Sequence, residues 1–147
     1  MISRIVFFVA MVMCGSAVVA KECTRLDVSE AEAVLDYVDS WKTMHLAHEQ
    51  YRHCETNLSI SEGFSSAVAG LLLNDWQRLP DLVQVLRRDP VFEDFVLGHI
   101  DETIEDGDRH SLDALAKGHC PTDAAALCGN IRNRLSSLGP WHSGNAT

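Results

Sequence analysis

Residues 29–53, SEAEAVLDYVDSWKTMHLAHEQYRH, decide the class of fold. Ser29-Glu30-Ala31-Glu32 has the form of a capping box, in which the serine hydroxyl accepts from a backbone amide and the glutamate returns a bond to the cap. Behind it, Val34, Tyr37, Val38, Trp41, Met44, His48 and Tyr51 recur at intervals of three and four, the period of one helix face. The pattern predicts one long helix from Ser29 to about His53, its stripe packed into a core.

The same period continues on the C-terminal side. Ser59-Ile60-Ser61-Glu62 opens a second helix with Phe64, Val68, Leu71 and Leu72 on its apolar face. A third lies between Trp76 and Arg88, capped by Asp75 or preceded by a short turn that delays its start to about Pro80. Asp89-Pro90 ends it and begins a fourth, whose face carries Phe92, Phe95, Val96, His99 and Ile100. The fifth covers about Asp108 to Lys117, and the sixth runs from Pro121 to about Gly139 with Leu127, Cys128, Ile131, Leu135 and Leu138 inward. No segment alternates with the period of a strand. The expectation is an all-α fold: about six helices in a single orthogonal or bundle-like domain, stapled by disulfides, over residues 21–140. Residues 141–147 read as a flexible tail.

On the N-terminal side the chain changes character. Arg4 precedes an apolar run from Ile5 to Met13, and small residues follow, the order of a secretory signal peptide over residues 1–20 with cleavage after Ala20, or after Ala17 as second choice. The run is too short for a bilayer span, so no membrane span is expected in the mature chain, which is placed in the periplasm or outside the cell. Cys14 leaves with the leader. Cys23, Cys54, Cys120 and Cys128 remain, an even number in an oxidising compartment, which predicts two disulfides. Three pairings are open. A local Cys120–Cys128 bond requires the chain to fold back along its own helix, so long-range pairings are favoured. The formal net charge is −9, and −10 once Arg4 is removed with the leader. Such a balance repels nucleic acid and anionic membranes, and suits either solubility or a basic protein partner.

Few residues suggest chemistry. His45, His48 and Glu49 share one helix, but His45-Leu46-Ala47-His48-Glu49 matches neither zinc-protease order, so these are candidate ligands without a motif, and no cofactor is expected. His99 and Asp101 are two apart and cannot meet while both stay helical. Asp101, Glu102, Glu105, Asp106 and Asp108 form an acidic run at a helix end, where the dipole disfavours it; a basic partner would compensate. Nucleophile elbows, phosphate loops and dinucleotide fingerprints are absent, so the chain is not expected to be an enzyme.

Leu-Leu-Leu-Asn-Asp-Trp at 71–76 and Phe-Glu-Asp-Phe-Val-Leu-Gly-His-Ile-Asp at 92–101, in an exported helical chain with two cysteine pairs, resemble small uncharacterised helical periplasmic proteins of Gram-negative bacteria. The chain is also similar, in size, export and cysteine use, to the immunity proteins that neutralise type VI secreted amidase toxins. That resemblance implies a non-enzymatic protein that occludes a toxin or hydrolase. The expected contact, on charge alone, is the acidic run from Asp101 to Asp108, since an exposed charged turn can reach into a basic cleft. The competing expectations are a metal-binding module using His45 and His48, and a structural or envelope-stress protein.

Overall fold

The computed structural model describes residues 21–139; the signal peptide expected over 1–20 and the tail expected over 141–147 lie outside the described residues. Seven α-helices and no strand occur among those described: α1 (Arg25–Leu35), α2 (Trp41–Tyr51), α3 (Leu58–Asn74), α4 (Leu79–Leu86), α5 (Phe92–Gly98), α6 (Asp106–Gly118) and α7 (Ala125–Ser137). Short 3₁₀ turns follow α2 and precede α4 and α7. The all-α expectation holds.

The seventh helix arises because the long first helix is two. Ser40 breaks it: its backbone is extended, its hydroxyl accepts from the Thr43 amide, and Thr43 Oγ1 accepts from the Ser40 amide at 3.1 Å. Ser29 is no cap. The cap of the first helix lies five residues earlier, where Thr24 Oγ1 accepts from the Asp27 amide and Asp27 accepts from the Thr24 amide at 2.9 Å. Both caps are capping boxes with Asp or Thr in the third position instead of Glu. The stripe divides accordingly. Trp41, Met44 and Tyr51 are buried, whereas Tyr37, in the break, is 83% exposed.

Asn57, not Ser59, caps α3, its side-chain oxygen accepting from the amides of Ser59 and Ile60. The delayed start near Pro80 is the one adopted: Trp76–Arg78 forms a 3₁₀ turn and Pro80 sits in the first turn of α4, where a missing amide costs least. Trp76 is buried, and its indole donates to the His119 carbonyl at 2.9 Å, tying this turn to the end of α6.

One core of buried side chains runs through all seven helices, with Trp41, Phe64, Phe92, Leu82, Leu112, Ile131 and Leu135 among its fully covered members. Helix α3 packs on α1 and α6, α2 on α1 and α4, and α6 on α7. The α1–α3 approach is close enough that a Cβ on Gly63 would lie 2.9 Å from Leu35 Cδ1. Only seven residues long, α5 borrows its termination: Arg134 of α7 donates from Nε to the carbonyls of Leu97 and Ile100 at 3.1 and 2.8 Å. A guanidinium there also opposes the helix dipole.

The four cysteines pair as Cys23–Cys54 and Cys120–Cys128. The second pairing corrects the expectation of long-range bonds only. After Pro121 the chain makes a 3₁₀ turn before α7 begins, which reverses it enough to bring the Cα atoms of Cys120 and Cys128 to 6.2 Å. In the chain-entropy picture the bond spanning 31 residues stabilises by about 3.5–4 kcal/mol and the bond spanning 8 by about 2.5 kcal/mol. No described helix is long and apolar enough to cross a membrane.

Candidate functional site

Helix α3 separates two surfaces with different chemistry. On one side it meets α2 and α5 along a seam of histidines and phenylalanines. The spacing of three and four that predicts helices also places His45 and His48 on one side of α2, and Phe92, Phe95 and His99 on one side of α5. The His48 ring lies 4.1 Å from Phe95, Phe95 stacks on Phe92 at 5.2 Å, and His99 meets Phe95 at 4.5 Å. His45 packs edge-on against Phe92 at 4.8 Å.

Each histidine of the seam has a carboxylate or hydroxyl partner from another element. His45 Nε2 lies 2.9 Å from Asp89 Oδ2, and His48 Nδ1 lies 3.1 Å from Glu55 Oε1. His99 Nδ1 lies 3.0 Å from Ser65 Oγ, which donates to Asp101 Oδ2 at 2.8 Å. Ser65 has one proton to give, and it goes to Asp101, so His99 donates to Ser65 and carries its proton on Nδ1. The order is therefore His99 to Ser65 to Asp101, the reverse of what a serine nucleophile needs, since there the histidine must accept from the hydroxyl. Ser65 is also 2% exposed. A groove of about 500 Å³ opens beside this seam, with His48, His99, Glu55, Asp94 and Asp101 in its walls.

Burial pushes both His48 and His99 below the ordinary 6.5, and Glu55 opposes this in each case without overcoming it. For Asp101 burial works against ionisation. The Thr103 and Ser65 hydroxyls and the Thr103 amide outweigh it, and the carboxyl titrates below its usual range. Asp89 also titrates low, chiefly through its bond to His45.

On the other side, α3 presents Ser66, Gly70 and Asn74, one per turn, as a low ridge between two grooves that share them. The first, of about 480 Å³, is walled by Asp36, Asp39 and Asp75 at the ends of α1 and α3. The second, of about 620 Å³, is walled by Glu62, Glu105 and Asp108. No lysine, arginine or histidine lines either groove. Basic side chains gather elsewhere: Lys42, Arg78 and Arg88 line a groove between α2 and α4.

The structure distributes the predicted site residues over these surfaces. Of the acidic run, Glu105 and Asp108 reach the α3 groove and Glu102 is exposed, while Asp101 turns inward to Ser65 and Thr103 and Asp106 pairs with Arg109. The run does not end a helix. Asp106 and Asp108 occupy the first turn of α6, where the dipole favours them. Of the candidate ligands, His45 and Glu49 come together while His48 turns to Glu55. Donor atoms of His45, Glu49 and Asp89 lie within 4.8 Å of one another, the one such group among the described residues. Sequence reasoning missed Ser65, Asp89 and Glu62. The sequence marks Ser65 by nothing more than a hydroxyl beside the apolar face of α3, and Asp89 by the helix boundary it forms with Pro90. Compared with known proteins, the chain matches no family model, no curated protein and no solved structure.

Proposed function

We propose that this chain is an exported, non-catalytic protein that binds a basic protein partner along the outer face of α3 and acts by occluding it, as a periplasmic inhibitor or immunity protein does with a toxin or hydrolase. One observation carries the reading: six carboxylates wall two adjoining grooves whose linings contain no cationic side chain. Like charges held together in concave surfaces focus a negative potential outward and steer a positively charged partner. The small ridge of Ser66, Gly70 and Asn74 lets a partner backbone approach closely. The two disulfides fit an oxidising compartment. The inverted His99–Ser65–Asp101 order supports a role without nucleophilic chemistry.

The reading is tested with the immobilised, oxidised protein and an extract of its own source. A basic protein should be retained at low ionic strength and released as salt shortens the screening length to a few ångströms. The triple variant Glu62→Gln, Glu105→Gln, Asp108→Asn should weaken its affinity at least ten-fold while the helical circular dichroism spectrum is retained. Equal retention by the triple variant would remove the α3 face from the function.

A further inference from the structure

We propose that His45, Glu49 and Asp89 form a binding site for one divalent transition-metal ion, with Zn²⁺ the best match, clamping α2 to the corner between α4 and α5. The inference is independent of the α3 grooves.

The geometry comes first. Bonds of about 2.0–2.2 Å to nitrogen and oxygen place neighbouring donors on one ion roughly 3.0–3.5 Å apart. His45 Nε2 and Asp89 Oδ2 already stand at 2.9 Å. Glu49 follows His45 by four residues on α2, so both point from the same side of the helix. Its oxygen lies within 4.8 Å of the other two donors, and its exposed, flexible side chain closes the remaining gap by a small rotation. The His45 ring packs edge-on against the buried Phe92, which limits its rotation.

The donor set selects the ion. One imidazole with two carboxylates suits a first-row divalent cation; calcium and magnesium prefer an all-oxygen shell. Two carboxylates and a neutral imidazole carry a charge of −2, which one such ion cancels. Glu49 stands in the last turns of α2, where a carboxylate faces the negative end of the helix dipole, and close to a second carboxylate. A cation removes both penalties. His45 and Asp89 are only partly buried and Glu49 is exposed, so an ion enters without opening the core and keeps open positions for water. The neighbouring histidines do not compete. His48 is turned to Glu55 and His99 to Ser65, and neither belongs to a three-donor group.

Titration of the EDTA-treated, disulfide-bonded protein with ZnCl₂ decides the matter. We expect one saturable site, no matching signal with CaCl₂, and a rise in melting temperature of roughly 5–10 °C when zinc stands about 100-fold above its dissociation constant. The Nε2 nitrogen resonance of His45 should shift on binding. Glu49→Gln and Asp89→Asn should each weaken zinc at least ten-fold, and His119→Gln should leave it unchanged. Should Asp89→Asn perturb the fold, Glu49→Gln decides alone, since that side chain is exposed. Absence of a saturable site, or an affinity for Glu49→Gln within two-fold of the unaltered protein, would overturn the proposal.

Discussion

The carboxylates of this protein fall into two groups with opposite surroundings. Along the histidine seam, Asp89 meets His45, Glu55 meets His48, and Asp101 accepts from Ser65 and Thr103. Along the outer face of α3, Asp36, Asp39 and Asp75 on one side and Glu62, Glu105 and Asp108 on the other share grooves that no cation lines. In the first group, Asp89 and Asp101 join elements far apart in sequence through His45 and Ser65. In the second, Asp39 accepts from Thr43 Oγ1 at 3.2 Å within its own turn, and the mutual repulsion of the group opposes the compact state. Acidity in one small domain thus has two separate consequences, and the seam and the ridge should respond differently to the same kinds of change.

The sharpest separation should come from Phe92. It is fully buried and its ring touches those of His45, His48 and Phe95, so Phe92→Ala removes the centre of the seam. Large-to-small changes at such positions cost about 3–5 kcal/mol, a large share of the 5–15 kcal/mol typical of a domain. Glu105→Gln, on the ridge side, should stay within about 0.5 kcal/mol. Urea denaturation measures both, and similar losses for the two would erase the distinction.

Ser65 and Ser66 make the comparison with adjacent residues. Ser65→Ala strands the Nδ1–H of His99 and leaves Asp101 one donor short, which costs about 1–3 kcal/mol. Ser66 is exposed on the ridge, and alanine is the better helix former, so Ser66→Ala should be neutral or slightly stabilising. A Ser65→Ala protein as stable as the original would mean that the three-residue chain contributes nothing to the seam.

What the sequence made legible follows physical range. Of the apolar face of α7, read as Leu127, Cys128, Ile131, Leu135 and Leu138, the first four are buried and Leu138, at the helix end, is partly buried, because a repeat of three and four within one helix is a local property. Periodicity could not reveal the break before Ser40. Tyr37 and Trp41 are four apart, so the stripe keeps its phase through a turn in which Tyr37 points to solvent. The caps at Thr24 and Ser40 close on Asp27 and Thr43, shorter side chains than the glutamate or glutamine by which a sequence announces a capping box. The site was less legible than the fold. Ser65 lies 34 and 36 residues from His99 and Asp101, and His45 lies 44 from Asp89; these meetings depend on how α3 and α2 cross α5, which no local spacing encodes.

The smallest expected effect is also the most specific to the seam. Burial holds His99 below 6.5, against the pull of Glu55 and Asp101 and with that of His48, so the folded protein takes up this proton less readily than the unfolded chain. The sign follows: above 6.5 neither state binds the proton and stability is flat. As pH falls from 6.5 through the depressed value, the unfolded state gains a proton that the folded state does not, and stability falls by at most about 1.4 kcal/mol per pH unit for this one group. His48, also held low by burial, adds a slope of the same sign. Urea titrations at pH 7.5, 6.5 and 5.5 should show the loss, and His99→Gln, which keeps a donor for Ser65 but cannot titrate, should make it shallower. An unchanged slope in His99→Gln would mean that His99 takes up its proton as readily in the folded protein as in the unfolded chain, and that burial in the seam does not hold it neutral.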